Sequence, residues 1–387
     1  MAKILFLPLN TNHVLIFQNI FKNIRYRYEV ISHDKISEEK QYQTGKMLTK
    51  LGIAYRHFPE NIYRSVNDSL LQKLITFFKI KNAVRFILKE ISPSVIVLAL
   101  DNDPIAQIFI SESKKHGIKT VLIQEALLRP YEYSMRKKYF SDYIHGILSF
   151  FGIYLSYTTY GASGCDQILV GGKLSEEIIK RRGAPKEKIK IVGHPRYDGM
   201  INKIKTIPKV SNPNKVYLFA ASTTIIDNNQ NIRFLEKLIE SIKGFQVHLI
   251  IKLHPRGVQE PADIYNLLDI NREHSIEIIK EGDDTFELLK RADVLITVSS
   301  TIVLEALMMD KECVVGSYLA GESRLEYGKY DAIHSIESEE EIYDVMKKAI
   351  LSKKSYENKH RLLEDELYRL DGKAGQRAAS FIENMVL

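Results

Sequence analysis

DVLITVSSTIVLEALM, residues 293–308, changes periodicity partway along. Val294–Val298 is a continuous apolar run with the length of a strand buried on both faces, and Ile302–Met308 carries apolar residues at helical spacing. Between them stand three hydroxyl residues, Ser299, Ser300 and Thr301, with no glycine or proline. A buried strand running straight into a helix is the repeating unit of a parallel sheet covered on both sides.

The same alternation runs along the chain in both directions. Upstream are KILFLPL, the helical HVLIFQNIFKNI, YEVISH, SVIVLAL (94–100), PIAQIFISESKKHG closed by Gly117, KTVLIQE, QILVGG (167–172), a helix to about Gly183, and KIKIVG. KIKTIPKVSNPNK (203–215) has two prolines, two asparagines and no amphipathic face, so it reads as a linker. A second series follows: VYLFAAS, a helix over 231–243, VHLIIKLHP, SIEIIKEG, a helix over 286–291, the 293–308 unit, CVVGS and terminal helices. The expected class is α/β, with two Rossmann-like domains whose parallel sheets face each other across a cleft. The expected boundaries are 1–202, a linker at 203–215, 216–370 for the second domain, and a terminal helix at 371–387 returning to the first.

At 387 residues the chain exceeds the roughly 250–300 at which a single core stops growing, which agrees with two domains. Met1–Leu9 is too short an apolar run for a signal peptide and reads as a first buried strand. Cys165 and Cys313 are the only cysteines, in no metal-ligand spacing, as suits a reducing cytoplasm. The net charge of +7 is uneven: residues 1–200 hold 30 basic and 18 acidic side chains, and 201–387 hold 25 and 30. A basic first half attracts anions, and without any nucleic-acid-binding module an anionic substrate or membrane surface is the expected partner. Tyr143–Cys165 has no charged residue and follows RPYEYSMRKKYF, where Arg129, Arg136, Lys137 and Lys138 mix with aromatics. That pattern suits either peripheral docking at the inner face of a membrane or a helix buried in the first domain.

In such sheets ligands lie beyond the carboxyl ends of the strands, so residues just after strands are the candidates. HPR occurs twice, in IVGHPRYDGM (191–200) and LIIKLHPRGV (249–258). The second copy follows a Val/Leu/Ile strand, with His254 between Lys252 and Arg256, a combination suited to gripping a phosphate or protonating a leaving group. The alternative is a histidine that merely ends a strand. Ser299, Ser300 and Thr301, with the helix they open, form a candidate anion site, and Glu305 one turn later is placed for a ribose diol. The plain alternative is ordinary N-capping. Ser222 and Thr223 at the end of VYLFAAS, and Gly282 in EGDDT (281–285), complete the expected donor-binding set.

KLHP followed by strand-SST-helix-Glu resembles the C-terminal domain of bacterial surface-glycan transferases of the two-domain type. The likeness extends to sialyltransferases and capsule Kdo transferases through their HP and SS/T motifs, and to CDP-glycerol glycerophosphotransferases. YRLDGKAGQRAASFI (368–382) is similar to the closing segment of the last of these. The resemblance implies that His254, Ser299 and Ser300 hold the phosphates of a CMP- or CDP-activated donor, UDP being the other choice, without metal or cofactor. It also implies a base in the first half. There Gln124-Glu125-Ala126 replaces the family's acidic pair and glycine, making Glu125 the candidate base. Asp101 in ALDNDPIAQ is the reserve, its neighbourhood reading otherwise as the cap of a helix starting near Pro104. GHPRYD resembles the segment leaving the first domain, with Arg196 and Asp198 pinning the turn and His194 in a variable place.

The resulting expectation is a metal-independent, inverting glycosyltransferase that moves a sugar or polyol-phosphate to a glycan or lipid-linked acceptor in surface polysaccharide synthesis. Two alternatives stand beside it. One is a nucleotide-sugar 2-epimerase of the non-NAD kind, which shares the architecture but opens with G-T-R-P-E where this chain has LPLNTNH (7–13). The other is a non-catalytic nucleotide-binding scaffold.

Overall fold

The computed structural model describes residues 3–32, 43–58, 69–128, 140–206, 215–221, 229–243, 245, 247–254, 261–267, 276–280, 284–298, 300–320 and 327–387. The chain forms two compact units, Met1–Asn202 with Asp365–Leu387, and Lys203–Glu364.

The first unit is built on seven parallel strands: β1 (Ile4–Leu7), β2 (Tyr28–Ser32), β3 (Arg56–His57), β4 (Val95–Leu98), β5 (Lys119–Ile123), β6 (Gln167–Val170) and β7 (Ile189–Ile191). Their order is β3-β2-β1-β4-β5-β6-β7, with Ile4 beside Val95 and Leu7 beside Leu98 across the central pair. Both faces are covered, which is why the strands read as unbroken apolar runs. Leu5, Leu7, Ile96 and Leu98 enter one core cluster, while Ile4, Phe6, Val95 and Val97 enter another. The first cluster is sealed by helices at Leu70–Ile91 and Pro104–Lys115, the second by helices at Thr11–Phe21 and Ala374–Val386.

The 22-residue helix Leu70–Ile91 has no clean apolar stripe in the sequence. Its start is fixed by a capping box between Ser69 and Gln72. Phe77, Ile80, Val84, Ile87, Leu88 and Ile91 form the buried stripe. The Pro104–Lys115 helix starts as expected: Asp103 caps it by accepting from the Ile105 N–H, with Pro104 in the first turn. It ends before Gly117 at φ +69°.

The second unit repeats the plan with β8 (Lys215–Ala220), β9 (Val247–Lys252), β10 (Ile276–Ile279), β11 (Val294–Thr297), β12 (Glu312–Val315) and β13 (His334–Ser335), ordered β10-β9-β8-β11-β12-β13. Tyr217, Phe219, Leu249, Ile251, Val294 and Ile296 face one core.

The closing helix Ala374–Val386 packs on Thr11–Phe21, and the sequence is fitted to that contact. A Cβ on Gly375 would lie 2.4 Å from the Asn19 carbonyl oxygen, so only glycine allows the approach. Asp198 accepts from the Ala374 N–H at 3.0 Å and the Gly375 N–H at 2.7 Å. Arg377 donates through Nε to the Val192 carbonyl at 2.7 Å and through Nη1 to Asp371 at 2.6 Å. Asp198 therefore pins the closing helix, not the turn with Arg196. The 371–377 motif does structural work that accounts for its composition.

Within the second unit, Glu312 is buried against His334 (3.1 Å), Lys359 (2.6 Å) and the Lys354 N–H (3.0 Å). Burial alone pushes its carboxyl up, but these partners outweigh it and hold it down to about 2.

Replacing Gly375 with alanine is expected to cost about 1–3 kcal/mol, read as a lowered thermal midpoint. Glu312→Gln is expected to cost roughly 3 kcal/mol at neutral pH. Because the folded-state value is depressed, wild-type stability should fall as pH drops from the ordinary carboxylate range towards 2. The gap between wild type and variant should narrow over the same window in denaturant titrations.

Candidate functional site

In the first unit the loops after β1, β5 and β7 bring together residues far apart in sequence. Asn10 follows β1 and caps the Thr11–Phe21 helix, its Oδ1 accepting from the His13 N–H at 3.1 Å. That fixes His13 in the first turn, fully buried. The Leu9 N–H donates to His13 Nδ1 at 3.0 Å, so a ring proton stands on Nε2. Nε2 lies 3.2 Å from Glu125 Oε2, and Asn10 Nδ2 donates to Glu125 Oε1 at 2.8 Å. Both oxygens of Glu125, two residues beyond β5, are thereby engaged, and its side chain retains 17% exposure.

Burial acts to raise the Glu125 carboxyl, but His13, the hydrogen bonds from His13 and Asn10, and the charge of Arg196 prevail and hold it below the usual range. It is a carboxylate at neutral pH. His194, after β7, is buried with Nδ1 unpartnered and has the Glu125 main-chain carbonyl as a hydrogen-bonding neighbour. Burial and the Arg196 charge bring it to about 3, so it is a neutral imidazole.

Gln124 holds the floor of the site: its Oε1 accepts from the Gly171 N–H at 2.7 Å and its Nε2 donates to the Ala126 carbonyl at 2.8 Å. Asp101, the reserve base, is fully buried. Its oxygens accept from the N–H groups of Gly161 (2.9 Å) and Ser163 (3.1 Å), and burial pushes its carboxyl up. It shapes the 161–163 turn and is not available to a substrate. Tyr160 beside it donates to the Ile123 carbonyl at 3.2 Å.

Asn10, His13 and His194 were not selected from the sequence as site residues. The signal was present, since LPLN and GHPR each follow an apolar run directly, the criterion that singled out Glu125.

In the second unit, Lys252 ends β9, with Nζ donating to the Lys280 carbonyl at 3.1 Å, and His254 lies two residues on. Ser300 and Thr301 follow β11 and open the seven-residue helix Ile302–Met308, with Glu305 in its first turn. Thr301 makes no side-chain cap, and Ser300 Oγ is 3.4 Å from the Ile302 N–H. β8 lies between β9 and β11, so these strand ends are separated by about 10 Å along one sheet edge. Arg256, Ser299, Ser222, Thr223 and Gly282 lie outside the described residues, as do Arg129, Arg136, Lys137 and Lys138.

Among the described residues no helix is long and apolar enough to cross a membrane. The helix Phe140–Phe150 leaves Tyr143, Ile147 and Phe150 exposed, with Phe151 beyond them, so it is not a buried core helix.

Residues 167–383 match the family model described as UDP-N-acetylglucosamine 2-epimerase. No curated protein matches the chain in sequence. Solved structures share the fold. A Methanocaldococcus jannaschii UDP-GlcNAc 2-epimerase in complex with UDP-GlcNAc and UDP is 17% identical at a TM-score of 0.62, covering 99% of this chain and 100% of its own. A Neisseria meningitidis UDP-GlcNAc 2-epimerase bound to UDP-GlcNAc is 15% identical at 0.63, covering 99% of each. A Rickettsia africae glycosyltransferase is 12% identical at 0.60, covering 99% and 98%. The two-domain transferase-type architecture is therefore correct, and so is an enzyme family built around a nucleotide sugar. The assignment to glycosyl transfer, and the likeness to sialyl, Kdo and glycerophosphate transferases, is overturned by the family match. The HP and SS/T pattern does not single out those families.

Proposed function

The chain belongs to the UDP-N-acetylglucosamine 2-epimerase family, and we propose that it inverts C2 of a UDP-linked 2-acetamido sugar. The observation that carries the reading is Glu125, an ionised carboxylate clamped on both oxygens at the ligand-binding edge of a doubly wound sheet.

Inverting C2 requires breaking one C–H bond and forming another on the opposite face. C2 neighbours the anomeric carbon, which carries UDP as a leaving group. A base that removes the C2 proton as the C1–O bond breaks leaves a C1=C2 double bond and free UDP. Returning UDP to C1 and a proton to C2 on the other face yields the epimer, with no net oxidation. Glu125 is the group suited to the C2 proton. Lys252, His254 and Ser300, at strand ends of the second unit, have the chemistry of an anion-binding edge within that unit. Arg196 and the neutral His194 border Glu125.

The test is proton exchange. With UDP-GlcNAc in D2O, the wild type should incorporate deuterium at C2, read by mass spectrometry and proton NMR. Glu125→Gln should lower the rate by roughly 100-fold or more. His254→Ala should weaken binding of UDP in calorimetry, and UDP should bind in preference to CMP. Absence of C2 exchange in the folded wild type would sink the reading.

A further inference from the structure

The reading of Glu125 as base leaves open why a carboxylate that needs to be reactive is held on both oxygens by residues of the first loop. His13 is fully buried, so its ring is out of a substrate's reach and acts only through Glu125. Its main chain is held by the Asn10 Oδ1 bond to the backbone N–H, and its ring by the Leu9 N–H donated to Nδ1. His13 Nε2 faces Glu125 Oε2 at 3.2 Å, with Asn10 Nδ2 at 3.0 Å from the same nitrogen. Asn10 serves two functions with one amide: Oδ1 caps the helix and Nδ2 grips Glu125 Oε1. A carboxylate tethered in this way keeps one orientation and presents its remaining lone pairs to one side only.

We propose that Asn10 and His13 are positioning residues that clamp the two oxygens of Glu125 and fix the direction from which it takes the substrate proton. This inference rests on the reading of Glu125 as the base. It assigns a role to LPLNTNH, the stretch in which the chain departs from the G-T-R-P-E opening. The other groups around the carboxylate act in support or against. Arg196 favours its ionised form, and burial opposes it. His194 is hydrogen-bonded to the main chain of Glu125 and is neutral. Tyr160, held on the Ile123 carbonyl, is kept protonated by burial and by the Asp101 and Glu125 charges.

Three variants separate this from a merely structural role. Asn10→Asp keeps an oxygen to cap the helix but sets a second carboxylate against Glu125. His13→Leu removes the donor to Oε2, and His13→Gln restores a donor of similar reach. The acid limb of C2 exchange should move up by about one pH unit or more in Asn10→Asp and His13→Leu, a tenfold loss below the midpoint. Turnover should fall with KM little changed, and His13→Gln should lie between. In parallel, the carboxyl 13C signal of Glu125, assigned with Glu125→Gln in glutamate-labelled protein, should show the same upward movement of its titration midpoint.

Folded variants with unshifted carboxyl midpoints would overturn the proposal, whatever their thermal stability. If the wild type exchanges nothing at C2, the epimerase reading fails separately. The carboxyl titration then still decides whether the clamp exists.

Discussion

A parallel sheet whose strand order reverses at its first strand sends the connections on either side of that strand to opposite faces, and a gap opens where they part. Both units of this chain are built that way: β2 and β4 flank β1, and β9 and β11 flank β8. The gap fixes which loops can hold a ligand before any side chain is considered. In the first unit the loop after β1 carries Asn10 and the capped start of the Thr11–Phe21 helix. The loop after β5 brings Glu125 within hydrogen-bonding distance of it. In the second unit β9 and β11 deliver Lys252, His254, Ser300 and Thr301 to one edge.

Such an edge is useful only if the loops are rigid, and in the first unit rigidity is supplied from the chain's other end. The Ala374–Val386 helix is seated against Thr11–Phe21 through Gly375 and receives the Asp198 carboxylate at its first N–H groups. Arg377 reaches the Val192 carbonyl, immediately before the turn that bears His194 and Arg196. Asn19, on the helix that Asn10 caps, donates to the Pro195 carbonyl in that same turn. The strand-end polar groups and the closing helix thus form one hydrogen-bonded assembly. The contacts of Asp198, Asn19 and Arg377 with Ala374, Gly375, Pro195 and Val192 are made to main-chain atoms, which move little. Leaving any of these buried groups unpaired costs of the order of 1–3 kcal/mol.

The architecture was legible because a sheet covered on both faces writes itself as alternating apolar runs and helical stripes. Glu125 was legible because it falls directly after a strand. The rest was hidden for identifiable reasons. The Leu70–Ile91 helix carries lysines and exposed aromatics among its apolar residues, which blurs its stripe. Asp198 pairs with backbone 176 residues away, a contact no local pattern announces. His194 reads from the sequence as a variable place in the segment leaving the first domain, because its contact with Glu125 is made only in the fold. Yet His194 and His254 each follow a strand of their own unit, β7 in the first and β9 in the second.

The HP and SS/T pattern misdirected the functional reading for a chemical reason. Glycosyl transfer and 2-epimerisation both begin by loosening the bond from an anomeric carbon to a nucleotide phosphate. Both therefore need cations and hydroxyls at the same strand ends, and those residues cannot distinguish the two reactions. The difference lies with the base, which takes a proton from an acceptor hydroxyl in one case and from C2 in the other. Glu125 is held below the ordinary carboxylate range, which makes it a weak base for an unactivated C–H bond. In the proposed reaction, departure of UDP must therefore run ahead of proton removal, so that positive charge at C1 acidifies the neighbouring C–H. The burden then shifts to the groups that stabilise the departing pyrophosphate, and to the fixed direction in which the clamped carboxylate meets C2.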